Sequence, residues 1–131
     1  MEAEKQVGRV SKTMFWTGMI VSAVPGLFML LDGVMKLMKP AAVTQAFARL
    51  GYPDRVAVVI GVVELACVVA FAIPRTSILG AILLTGYLGG ATASHVRIGD
   101  PFWFPILVGS LVWLGLFLRD DRLRTIVPLR N

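Results

Sequence analysis

Cysteine and histidine each occur once, at Cys67 and His95. A lone thiol closes no disulfide within the chain, so dithiol chemistry inside one molecule is excluded. One histidine with scattered carboxylates falls short of a transition-metal set, and no His or Cys pair is spaced for zinc. No metal site is therefore expected. Ser94 next to His95 offers no nucleophile and base either, because adjacent residues on a helix point in different directions. No catalytic residue is assigned, and no activity is expected of the chain alone. Charge is the next scarcity. No charged residue occurs from Thr13 to Leu31, from Thr76 to Ser94 or from Pro101 to Leu118, and Val56 to Ile73 contains only Glu64. Thirteen Lys and Arg against eight Asp and Glu give a net charge of +5, but the basic residues flank apolar runs instead of forming a stripe on a polar face. A nucleic-acid partner is excluded on that pattern.

What fills the chain is hydrocarbon: 56% of the 131 residues are hydrophobic, and the mean hydropathy is +0.77. A soluble core of that size needs less, so lipid is the expected solvent. A helix rises about 1.5 Å per residue, and roughly 18 to 20 apolar residues cross a hydrocarbon core of about 30 Å. Backbone groups in lipid are satisfied within a helix. The chain thus reads as one all-α integral membrane domain over residues 1–131. Its four transmembrane spans fall at about 14–37, 56–73, 76–95 and 101–118. The first run is long for the core of a cleaved signal peptide, although Ser22-Ala23-Val24-Pro25 loosely resembles a processing region.

Breakers fall between the runs: Lys39-Pro40, Tyr52-Pro53-Asp54, Pro74 and Gly99-Asp100-Pro101. Between the first two spans, Val43, Phe47 and Leu50 recur at helical spacing, as in a short amphipathic helix lying on the bundle mouth. An even number of spans puts both termini on one side. That side holds eight basic residues, Lys5, Arg9, Lys12, Arg75, Arg119, Arg122, Arg124 and Arg130, and the other holds five, Lys36, Lys39, Arg49, Arg55 and Arg97. The positive-inside rule then places both termini in the cytoplasm of a multi-pass protein of the inner (cell) membrane. On the third span, Gly86 and Gly90, and the row Ala81, Thr85, Gly89 and Ala93, let helix backbones approach, within the bundle or in a homodimer.

Each ionisable residue inside a membrane costs roughly 2.5 to 3.5 kcal/mol on insertion scales and is a site hypothesis. Asp32 lies late in the first span, Glu64 halfway through the second and His95 at the end of the third, with Lys36 at the rim. Alternating helix directions bring all of them to the outer half. Asp32 and Lys36, four apart, share a helix face and suit an ion pair. Glu64 is deepest and needs a partner, which Lys36 or His95 could supply. With Tyr87, Thr92 and Ser94 these residues form the candidate ligand-binding set, the polar end of a cavity for an amphipathic small molecule; the alternative is interhelical glue that fixes register.

The run Leu50-Gly51-Tyr52-Pro53-Asp54, Gly61 and Glu64, Ile73-Pro74-Arg75, the segment Gly90-Ala91-Thr92-Ala93-Ser94-His95 and Gly99-Asp100 together resemble the DoxX-like family. Gly33 and Lys36 fit the same pattern, and the resemblance runs from about Leu27 to Leu118. It implies a small four-helix membrane protein, and carries over Lys36, Glu64, Ser94 and His95; Asp32 and Cys67 rest on this sequence alone. The wider superfamily includes a subunit linked to thiosulfate oxidation with quinone, a mycobacterial membrane complex associated with oxidant handling, and NACHO, an animal chaperone for acetylcholine receptors. The resemblance therefore implies a quinone or lipid as candidate ligand, and as alternatives a chaperone or assembly subunit gripping a membrane-protein partner, or a subunit of a membrane oxidoreductase complex. The missing cysteine pair departs from any thiol–disulfide branch.

Overall fold

The computed structural model describes residues 10–126. Among them every regular element is helical: α1 (Lys12–Met38), α2 (Ala41–Leu50), α3 (Asp54–Ala72), a 3-10 turn (Pro74–Thr76), α4 (Ser77–Arg97), α5 (Trp103–Arg119) and α6 (Asp121–Arg124). Ser11 caps the first turn of α1 by accepting from the Met14 N–H at 3.2 Å, satisfying one of its orphan donors. Pro25 lies inside α1 and is buried, so the processing-like Ser22 to Pro25 run is continuous helix. The segment from α1 through the 3-10 turn and α4 supplies three helices long and apolar enough to cross a membrane, and α5 is a shorter apolar helix of 17 residues.

The four long helices pack in the cyclic order α1, α3, α4, α5, each against two neighbours. Adjacent helices run antiparallel, as short connections require. Gly26 approaches Phe71 while Gly33 meets Leu65 across α1 and α3, and Thr85 pairs with Trp113 across α4 and α5. Small residues set these distances. A Cβ on Gly61 would lie 2.9 Å from the Lys36 Cβ, and one on Gly18 would lie 2.8 Å from the Gly115 carbonyl. The tightest contact with backbone is at Gly80, where a Cβ would fall onto the Phe71 and Ala70 main chain at the turn between α3 and α4. The core runs down the bundle axis through Met29, Val68, Phe71, Leu84, Val112 and Leu116, while large apolar side chains such as Trp16, Ile20, Leu27, Val59 and Trp103 face outward. Apolar atoms inside and outside alike are what a lipid-solvated bundle presents.

The amphipathic segment forms α2 as expected, and it is held by more than its apolar face. Phe47 is buried, and three polar contacts pin the segment across the bundle end. Lys39 donates to Asp54 at 2.8 Å, Arg49 pairs with Asp100, and Arg97 donates to the Leu50 carbonyl. Gly51 ends α2 at φ 81°, a left-handed conformation that glycine adopts without strain, and Tyr52 then turns back over the bundle.

Candidate functional site

Under α2 lies a cavity of about 490 Å³. Its apolar walls come from Phe28 and Met29 of α1, Phe47 and Leu50 of α2, Ile60 of α3, Leu88 and Ala91 of α4, and Phe104, Pro105 and Val108 of α5. Phe28 and Phe104 meet edge to face with ring centroids 5.1 Å apart. Gly86 and Gly90 contribute through absence: a Cβ at either would meet nothing within 4 Å, so these glycines widen the cavity instead of seating a neighbouring helix.

Polar groups gather at two levels. At the deep level, the Lys36 ammonium donates to Asp32 Oδ2 at 2.5 Å, to Glu64 Oε2 at 2.6 Å and to the Tyr87 hydroxyl oxygen at 2.8 Å. Tyr87 in turn donates to Glu64 Oε2 at 2.9 Å. The Asp32–Lys36 pair follows from their four-residue spacing on α1, and Gly33 and Gly61 bring α3 close enough for Lys36 to reach Glu64. Glu64 is fully buried, and among the described residues its Oε1 has no hydrogen-bond partner. Near the cavity mouth, Ser94 donates to the Gly90 carbonyl at 2.9 Å. Its only hydrogen is thereby used, so the 2.7 Å contact with Tyr52 has the tyrosine hydroxyl as donor. His95 Nδ1 lies 2.7 Å from the Ala91 carbonyl, which can only accept, so Nδ1 carries the proton.

Of the residues singled out from the sequence, Asp32, Lys36, Glu64, Tyr87, Ser94 and His95 all line this cavity. Three expectations are corrected. Lys36 is no rim residue: its side chain is 12% exposed and sits among its three partners. His95 is not a partner of Glu64. It lies eight residues beyond Tyr87, about 12 Å further along α4 at 1.5 Å per residue, and bonds its own helix. Thr92 is not among the lining residues; its hydroxyl donates to the Leu88 carbonyl at 2.8 Å. Ser94 and His95 engage different partners. Tyr52 was missed, although it stands within the Gly-Tyr-Pro-Asp run; its aromatic ring after a glycine at a helix end was the available signal. Among the described residues no group of His, Cys, Asp and Glu is arranged to hold a metal ion.

The model of the DoxX-like family matches residues 20–116, which takes in α3 and α4, most of α1 and α5, and every lining residue of the cavity. The chain belongs to the DoxX-like family. With its long apolar helices, this DoxX-like chain is a membrane protein. No curated protein and no solved structure matches it. The site of this DoxX-like protein is therefore read from its own atoms: an apolar chamber with an ion cluster at its floor and a tyrosine–serine pair and an imidazole near its mouth.

Proposed function

We propose that the protein is a four-span bundle that holds a lipid-like or quinone-like small molecule in the cavity beneath α2. The observation that carries this reading is the pairing of a roughly 490 Å³ apolar chamber with a cluster of Asp32, Lys36 and the fully buried Glu64. Ligand pockets typically enclose about 300 to 1,000 Å³, with apolar walls and a few convergent polar groups. A cluster serving only as interhelical glue needs no chamber beside it. In this reading α5 is the fourth span and both termini face the cytoplasm, so the cavity lies in the outer half of the inner membrane. The basic residues of the inner end support that orientation, with Lys5, Arg9 and Arg130 among them lying outside the described residues.

A second reading has its own support. Thr85, Gly89 and Ala93 form an exposed row on α4, and a Cβ on Gly89 would touch nothing. Beyond the Thr85 hydroxyl, which accepts from Trp113, the bundle does not use this row, which leaves Gly89 and Ala93 free to receive a transmembrane helix of a partner or of a second copy. Native mass spectrometry of gently extracted protein separates the two readings. A retained small molecule, lost in a Gly86→Leu variant that fills the chamber, is the expected result. A retained partner chain with an empty chamber would overturn the ligand reading in favour of the second.

A further inference from the structure

The hydrogen atoms of the cavity decide what kind of head group it accepts. Lys36 has three N–H donors and gives one each to Asp32, Glu64 and Tyr87. Tyr87 gives its hydrogen to Glu64, Tyr52 gives its own to Ser94, and Ser94 gives its own to Gly90. His95 spends its Nδ1 hydrogen on Ala91, which in the neutral ring leaves Nε2 a lone pair. Every side-chain donor lining the chamber is thus engaged within the protein. The polar valences left over are acceptors: Glu64 Oε1, the second oxygen of Asp32, the Tyr52 oxygen and His95 Nε2. Glu64 Oε1 is buried with no partner among the described residues, and an unmade bond there costs roughly 1 to 3 kcal/mol, more for a charged group. Two carboxyl groups face one ammonium, so with both ionised the cluster accommodates a second cation.

From this we infer that the occupant is a single-tailed or lipid amphiphile with a cationic, hydrogen-bond-donating amine head. The inference rests on the ligand reading above and narrows it. An ammonium supplies both hydrogens and a positive charge, and its hydrocarbon tail fills the aromatic and aliphatic walls. A carboxylate or phosphate head would meet charge of its own sign and no free side-chain donor. A quinone carbonyl, which only accepts, would gain nothing from a cluster whose carboxyl groups are both ionised.

The full chain in neutral detergent micelles tests this with three probes of one tail length: dodecylamine, dodecanoate and dodecyl methyl ketone. Dodecylamine is expected to raise the thermal unfolding midpoint in a saturable way, and the other two are not. Asp32→Asn removes one of the two carboxylates, at a residue 40% exposed, and should weaken amine binding by about tenfold, which is about 1.4 kcal/mol. Gly86→Leu, which fills open space, should abolish it. If dodecanoate or the ketone stabilises as well as the amine, or if Asp32→Asn leaves amine affinity unchanged, the inferred head group is wrong while the ligand chamber stands. Amine binding that survives Gly86→Leu reports the micelle surface and overturns the inference too. Failure of all three probes, together with no retained molecule in native mass spectrometry, overturns the chamber reading itself.

Discussion

Replacing Lys36 with methionine removes the one cation that two carboxylates and a tyrosine share. Glu64, fully buried, is left with Tyr87 alone, and Asp32 loses its partner at the chamber wall. Breaking a buried pair on one side typically costs about 3 to 5 kcal/mol, because a charge stays behind without compensation. Helices unfolded within a bilayer or micelle find other polar partners, which favours the lower end of that range. Glu64→Gln is milder. The amide keeps an acceptor oxygen, and Lys36 keeps Asp32, so the loss is one charge-assisted bond, about 1.5 to 3 kcal/mol. In the double variant Lys36→Met with Glu64→Gln no buried charge is stranded, so its cost should fall short of the sum of the single costs by roughly 2 kcal/mol. His95 bonds only its own helix turn, so His95→Ala combined with Lys36→Met should be additive within about 0.5 kcal/mol. Unfolding by dodecyl sulfate titration in mixed micelles, followed by helical circular dichroism, gives each term. Additivity between Lys36 and Glu64, or strong coupling between Lys36 and His95, would refute the two-level arrangement of the cavity.

Gly80→Ala should prevent stable folding, since its Cβ would fall onto the Phe71 backbone, whereas Gly86→Ala should unfold like the unaltered protein and only narrow the chamber; midpoints from thermal scans in detergent distinguish them. Cys67→Ala should fold and retain any bound molecule with a loss of about 1 kcal/mol, because the thiol is a buried small hydrophobe with no second cysteine to pair with; loss of the ligand at normal expression would point to a thiol contact between chains. Cysteines introduced at Gln6 and Gln45 should report opposite sides: an impermeant thiol reagent on intact cells is expected to label position 45 and spare position 6, and the reverse pattern would invert the topology. Arg49→Ala should loosen α2 at the Asp100 contact and speed exchange of a bound probe while moving the unfolding midpoint little, as removal of an exposed ion pair costs at most about 1 kcal/mol.

Much of this fold was legible in the chain. The apolar segments read as spans end within about two residues of the observed long helices, because an apolar run of that length satisfies its backbone within a helix, and Pro40, Pro53, Pro74 and Pro101 stand at or beside the breaks between helices. The apolar spacing of Val43, Phe47 and Leu50 gave α2, and the four-residue spacing gave the Asp32–Lys36 pair. These are properties of one helix at a time, and helical periodicity reports them directly. Which neighbour a side chain meets depends on how each helix is rotated and raised against the next, and that was settled only by packing. Gly33 and Gly61 seat α1 on α3 at the level where Lys36, not His95, reaches Glu64. Gly80 takes the close backbone contact that the Gly86 and Gly90 pair promised, and those two glycines open a chamber instead. A glycine reads the same in sequence whether its missing Cβ admits a neighbouring helix or leaves a void, because the atom that would tell them apart belongs to another part of the chain.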